Sequence, residues 1–278
     1  MIWSGTIGFM SDDDLMALIH EGQSVDFRIL SSEPIPTYTW AAVRAVTAGA
    51  RANSFIALSQ EVTQAWRNHV TLKVDRAGQP RLDFPGLREE QIKVENQASV
   101  IASEVLHHAR AALDLCVHLA SWRQVGKPNR YSQFPLAETE RQWKDALKGR
   151  WLEGLTETQR DWIREVQPFE GAVWSGHLRR LSNQDKHRVT VQVAAAYSLT
   201  VSDWSLTPEP PGSDDQGTLE PAKRELNFFI RDALEPAEAA DPYLPAAEVL
   251  VGVVQGTVAL VNQFLREEGN NEIVTSES

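Results

Sequence analysis

The clearest pattern in the chain is a repeat of apolar residues at helical spacing between residues 97 and 123. The apolar arc of an ideal helical wheel holds Ile101, Val105, Leu106, Ala109, Ala112, Leu113, Cys116, Val117 and Leu119. The opposite arc, about 80° wide, holds Ser103, His107, Arg110, Asp114, His118 and Ser121. This pattern predicts a helix with one face in the core and its polar side chains gathered along the other.

Weaker patterns predict the remaining elements. Helical periodicity marks 54–69, two short helices within 139–166, then 172–190 and 246–266. Alternating residues on either side of the turn at 75–80 predict a β-hairpin, and further strands are expected at 191–201 and 226–230. Residues 206–221 are rich in Pro, Gly and Asp and predict a loop. Because the strands flank the helices, the expected fold is α+β, mainly a helical bundle with a small antiparallel sheet.

The domain organisation predicted from these patterns has three parts. Residues 1–53 are interpreted as a poorly defined N-terminal extension, 54–266 as a single α+β domain with a helical core at 97–190, and 267–278 as a flexible tail. The hydrophobic content of 42% supports a folded core. The tryptophans at 143, 151, 162 and 174 have helical spacing and are interpreted as core residues.

Cysteine usage and hydropathy favour a cytoplasmic protein. The single cysteine, Cys116, excludes an internal disulfide and suits a reducing compartment, and its place on the apolar arc makes it a core residue. The N-terminus lacks the basic and apolar regions of a secretory signal. The apolar stretch at 249–261 is interrupted by polar residues and glycines, so a buried helix is expected there and no membrane span.

The net charge of −11 argues against sequence-independent binding of nucleic acid, which needs many phosphate contacts. The charge is uneven, however. Residues 127–202 carry 12 basic and 9 acidic side chains, whereas 203–278 carry 4 and 15. The basic segment 127–202 contains the most concentrated group of polar residues, 178–188. Binding of an anionic ligand at this place therefore remains an alternative.

On a helix, Arg180, Asn183 and His187 of this segment fall within about 60° of one another. The imidazole titrates near neutral pH, and the guanidinium can stabilise charge on a phosphate. Asp185 falls on the apolar side and needs a buried partner, for which Arg110 or a histidine of the 97–123 helix is expected. The two helices are therefore predicted to pack along a polar seam, which is either a structural tie or a site.

Metal chemistry is a third alternative. Glu104 and His107 have the i, i+3 spacing of carboxylate-bridged di-metal bundles, but no second such pair exists in the sequence. His107, His118 and His187 are a possible set of ligands for a single metal. No Gly-rich phosphate loop is present, and no metal or other cofactor is expected.

Four short motifs between residues 95 and 190 resemble a bacterial family without an assigned activity, whose signature is LHxxRxALD … FP … QP … LxNxDKHR. The matching segments are 106–114, 134–135, 167–168 and 181–188. The same region more distantly resembles the HEPN superfamily of helical bundles, many of which carry an Arg, four to six intervening residues and a His on one helix. Arg180 and His187 have six residues between them. Leu181 departs from that pattern, because the residue after the HEPN arginine is usually polar.

The HEPN resemblance implies a metal-independent RNase that acts on RNA as a homodimer. It implies that His187 is the acid/base group, Arg180 the phosphate anchor and Asn183 a substrate-positioning residue, with the RNA 2′-hydroxyl as nucleophile. The expected supporting residues are Arg110, Asp114, Asp185, Lys186, His107 and Glu104. The alternative is a non-catalytic binding or interaction module in which the Asp185 and Arg110 network is structural.

Overall fold

Helices account for most of the described chain. The computed structural model describes residues 38–69, 71–83, 87–186, 191–200, 206–208, 215–219, 223–231, 243–267 and 269. Six α-helices lie in these ranges: α1 (Thr39–His69), α2 (Leu87–Val125), α3 (Glu140–Lys148), α4 (Glu157–Glu165), α5 (Val173–Lys186) and α6 (Ala246–Glu267). Seven strands accompany them: β1 (Thr71–Asp75), β2 (Pro80–Asp83), β3 (Gln192–Thr200), β4 (Leu206–Pro208), β5 (Asp215–Leu219), β6 (Lys223–Arg231) and β7 (Tyr243–Pro245). The mainly helical α+β fold predicted from the sequence is confirmed.

Two compact units share the two long helices. The described residues within 1–53, 101–190 and 248–278 form unit 1, and those within 54–100 and 191–247 form unit 2. Both α1 and α2 continue from one unit into the other. The boundary predicted at residues 53 and 54 falls inside α1, where the small side chains of residues 41, 45, 48 and 52 are already buried.

The core of unit 1 is built on the C-terminal part of α2 and on α6. Every residue of the predicted apolar arc of α2 is buried, from Ile101 to Leu119. Phe264 of α6 packs its ring against Tyr38 and Trp162, with ring centroids 5.3 and 5.6 Å away. Trp174 of α5 also lies directly against α6, at Gly256. Burial of this apolar area is the main stabilising contribution to the unit.

Helix α6 has the length and apolarity of a membrane-spanning segment, the only such case among the described helices. Of its most apolar window, 61% is buried inside the structure. A core helix passes the same test, so the composition of α6 is weak evidence for a membrane location.

Unit 2 contains two antiparallel sheets, with strand orders β2-β1-β5-β4 and β3-β6-β7. The predicted hairpin is confirmed, since β1 and β2 pair Thr71 with Asp83 and Val74 with Pro80. Strand β3 lies at an edge, and α2 covers part of that edge with polar side chains. Val193 N donates to Ser99 Oγ at 3.0 Å, and Ala195 N donates to Glu95 Oε1 at 2.9 Å. These bonds satisfy backbone groups that an edge strand would otherwise expose.

Four predictions were wrong in part. The helix predicted at 54–69 is the C-terminal part of α1, which begins at Thr39. The loop predicted at 206–221 contains β4 and β5, which pair with each other. Helix α2 begins at Leu87, ten residues before the predicted start at 97, because its first turns carry polar side chains that give no apolar period. Trp151 is 39% exposed rather than buried, because a short 3₁₀ turn at Arg150–Leu152 directs Leu152 inward in its place.

Candidate functional site

Three polar residues of the motifs quoted above, Arg110, Asp114 and Gln167, bind one non-helical segment, 134–138, which lies between α2 and α3. On its α2 side the main chain of Phe134 is bound at both polar groups. Its carbonyl accepts from Arg110 Nη2 at 2.6 Å, and its N–H donates to Asp114 Oδ1 at 2.8 Å. Arg110 Nε also donates to Asp114 Oδ2 at 3.1 Å. One ion pair on consecutive turns of α2 therefore binds one residue of the segment through both its N–H and its carbonyl.

Gln167 binds the same segment from the C-terminal end of α4. Its Oε1 accepts from Ala137 N, and its Nε2 donates to Ile163 O, both at 2.8 Å. Gln167 and Ile163 are completely buried, and Ala137 is 3% exposed. The amide thus satisfies one donor and one acceptor that water cannot reach.

Arg179 of α5 completes the set of side chains around the segment. Its Nη1 donates to Leu136 O, and its Nε forms an ion pair of 3.0 Å with Glu138 Oε1. Side chains of α2 and α5 therefore bind the same short segment. The polar seam predicted between the two helices stays a prediction. No pattern in the sequence indicates this role for Arg179.

These contacts give Arg110, Asp114, Gln167 and Arg179 a structural role. The segment is non-helical, yet the side chains of residues 134–137 are all buried. Buried peptide groups outside regular structure need partners, and each one left unsatisfied costs about 1–3 kcal/mol. Arg110, Asp114, Gln167 and Arg179 supply those partners, which explains why the sequence places charged and amide side chains beside apolar ones.

Two of the three predicted catalytic residues lie on α5. Arg180 and Asn183 are half-buried and one turn apart on this helix. His187 lies outside the described residues, and so do the side chains of Asp185 and Lys186, whose backbone belongs to the last turn of α5. The catalytic grouping and the pair between Asp185 and Arg110 stay predictions.

Two of the candidate metal ligands contact other side chains of the described chain. Glu104 forms an ion pair of 3.0 Å with Arg51, and His118 Nδ1 lies 2.8 Å from Ser132 Oγ. His107 is exposed, with its ring 5.6 Å from that of His108 in an edge-to-face arrangement. In the ranges that the structure describes, no group of three His, Cys, Asp or Glu side chains is placed to hold a metal ion.

His108 has a pKa below its usual 6.5, chiefly because burial disfavours the charged ring and then because Arg44 is close by. Arg44 Nη1 lies 3.1 Å from His108 Nδ1, an arrangement in which the neutral ring accepts. His107 and Arg51 lower the pKa further, and Glu104 opposes them.

We expect His108 to make the free energy of unfolding fall on acidification. Below 6.5 the unfolded chain takes up a proton at this position before the folded chain does, and stability is lost until the pH has passed the lower folded pKa. His108→Gln keeps an acceptor for Arg44 but cannot titrate. Urea unfolding of both proteins from pH about 8 to about 5 should give a difference in stability that changes only below the usual pKa. If the difference in free energy of unfolding between the two proteins did not change with pH, the lowered pKa of His108 would be contradicted.

Comparisons of the chain with protein-family models, with curated proteins and with solved structures found no match. The functional inference therefore rests on the geometry of the described residues.

Proposed function

We propose that this chain is a non-catalytic binding module in which Arg110, Asp114, Gln167 and Arg179 are scaffold residues. The observation that carries the proposal is the binding of one buried main-chain segment, 134–137, by the side chains of Arg110, Asp114, Gln167 and Arg179. Two of these residues, Arg110 and Asp114, were expected to support a catalytic site. Their donors and acceptors are used on the protein's own backbone, which leaves less of their hydrogen-bonding capacity for a substrate.

The charge of the chain supports the same conclusion. A net charge of −11 repels a polyanion, and non-specific affinity for RNA rests on phosphate contacts. Two of the described histidines also have protein partners close by, Ser132 for His118 and Arg44 for His108. A general acid or base must instead reach the proton of a bound substrate.

A second candidate function is the metal-independent RNase that the HEPN resemblance implies. The observation in its favour is the position of Arg180 and Asn183, which are half-buried and one turn apart on α5. His187 follows Asn183 by four residues in the sequence. In that function Arg180 would bind the scissile phosphate and His187 would transfer the proton.

An RNA cleavage assay separates the two functions. Wild type, His187→Ala and Asn183→Ala are incubated with structured and single-stranded RNA in the presence and absence of a chelator. A binding module gives the same background hydrolysis in all three proteins. Loss of general acid/base catalysis typically costs about 10²–10⁴-fold, so cleavage that falls by about that factor in His187→Ala contradicts the proposal.

Equal folding must be shown for each variant by urea unfolding, because a partly unfolded variant would also lose activity. Cleavage that the chelator abolishes would favour the metal-dependent alternative that the histidines suggested.

A further inference from the structure

An exposed aromatic and cationic patch in unit 1 takes no part in the scaffold around residues 134–138. We define it by Arg130, Tyr131, Arg150 and Trp151, and name it the Tyr131 patch. Tyr131 and Trp151 are 43% and 39% exposed, and both arginines are exposed as well. Exposed apolar area is unfavourable in water, and exposed aromatic residues grouped on a surface are typical of interaction sites.

Arg130, Tyr131 and Arg150 form one assembly that joins the segment after α2 to the 3₁₀ turn at Arg150–Leu152, and the exposed Trp151 follows Arg150 in the chain. The guanidinium carbon of Arg130 lies 4.8 Å from the centre of the Tyr131 ring, and that of Arg150 lies 5.1 Å from the same centre. Arg130 Nη2 also donates to the Tyr131 hydroxyl at 2.6 Å. Because both guanidinium groups lie next to the same ring, the distance between their two carbon atoms cannot exceed the sum of these two distances to the ring centre.

A buried asparagine fixes the segment after α2 and the 3₁₀ turn to each other. Asn129 is 6% exposed, and its Nδ2 donates to Arg150 O at 2.8 Å. The side-chain Oδ1 of Asn129 accepts from Tyr131 N at 3.0 Å, and its main-chain carbonyl accepts from Ser132 Oγ at 2.6 Å. The main chain under Tyr131 and Arg150 is thereby held before any partner arrives, which reduces the entropic cost of binding.

The chemistry of the patch fits a carboxylate-bearing partner. Each guanidinium presents a fork of N–H donors that matches a carboxylate, and Arg150 uses only its Nε in its 2.8 Å contact with Glu153 Oε2. The proximity of two cations on one ring favours an anion that can interact with both. Trp, Tyr and Arg are also the residues that most often dominate the energy of protein interfaces.

A nucleic acid fits less well. Base stacking needs a free aromatic face, and guanidiniums already lie over the Tyr131 ring. A chain of net charge −11 also disfavours an extended polyanion, while a short acidic segment meets only the local field.

We propose that the Tyr131 patch binds an acidic peptide segment of a partner protein, with carboxylates on Arg130 and Arg150 and an apolar side chain against Trp151. This inference rests on the proposed function, for which it names the binding surface and the class of partner.

The test is selection of a random peptide library displayed on phage against the full chain. The expected result is enrichment of peptides in which Asp or Glu flank an aromatic or aliphatic residue. The most enriched peptide is then synthesised with a fluorescent label, and its Kd is measured by anisotropy. Tyr131→Ala and Arg150→Ala should each weaken binding by about tenfold or more.

Arg164→Ala is the matched control, because Arg164 is also exposed and also forms an ion pair with a nearby glutamate, Glu170, at 2.9 Å. It should leave the Kd unchanged. Trp151→Ala is a second patch variant in case Tyr131→Ala is destabilised, and urea unfolding checks the fold of each protein.

The inference is overturned if no acidic peptides are enriched, or if Arg150→Ala and Arg164→Ala bind them equally well. It is also overturned if a single-stranded RNA oligonucleotide binds the chain and Tyr131→Ala abolishes that binding. Failure of the proposed function has a different readout, which is RNA cleavage that depends on His187.

Discussion

Gln167→Leu is expected to lower the free energy of unfolding by about 2–5 kcal/mol. The substitution nearly preserves side-chain volume but removes both hydrogen bonds of the buried amide, to Ala137 N and to Ile163 O. Each buried peptide group left without a partner costs about 1–3 kcal/mol, and no water can replace the amide at a position with 0% exposure. Urea unfolding followed by far-UV circular dichroism measures the loss.

Gln142→Leu is the matched control for this prediction. Gln142 also accepts a main-chain N–H of the segment, that of Glu138 at 2.7 Å, but it is exposed. Water can take over this bond, so the cost should be within about 1 kcal/mol. If the two substitutions lower the free energy of unfolding by the same amount, the buried hydrogen bonds of Gln167 are worth no more than an exposed one. The scaffold role of Gln167 would then be wrong.

Gly256→Ala is expected to destabilise the chain by about 1–3 kcal/mol or more, although alanine is the better helix former. A Cβ atom at Gly256 would lie 2.3 Å from Cδ2 and Cε2 of Trp174 and 2.6 Å from its Cγ. These distances are far below van der Waals contact, so α6 and the indole would have to move apart. That movement would open the packing of a core in which α6 is one of the most buried elements.

Gly252→Ala, one turn earlier on α6, gives the opposite expectation. A Cβ there meets no atom within 4 Å, so only the helix propensity changes, and stability should rise by about 0.5–1 kcal/mol. Thermal unfolding of both variants gives the comparison directly. Trp174→Leu in the Gly256→Ala protein should recover part of the loss, and its failure to do so would place the cause of the destabilisation elsewhere.

Much of the helical fold was predictable because apolar spacing is a local property. The arc from Ile101 to Leu119 repeats at three and four residues, and every residue of that arc is buried. The first ten residues of α2 were missed because they are mainly polar. Their value lies in tertiary contacts, as when Glu95 accepts from Ala195 N at the edge of β3, a hundred residues away.

Strands β4 and β5 were missed for a different reason. Pro, Gly and Asp are turn formers in isolation, and a short strand is not stable alone. In the structure β5 pairs with β1 on one side and with β4 on the other, so its conformation depends in part on a partner that is remote in sequence. Local propensity carries no information about such pairing.

The sequence by itself determined which residues are chemically able to form a polar network, and it correctly gathered Arg110 and Asp114 on one face of α2. Only the tertiary structure decided what they bind. Phe134 lies 24 residues from Arg110, Ala137 lies 30 from Gln167, and Leu136 lies 43 from Arg179. A periodic pattern reports the face on which a side chain lies, whereas the group it meets depends on how distant segments pack.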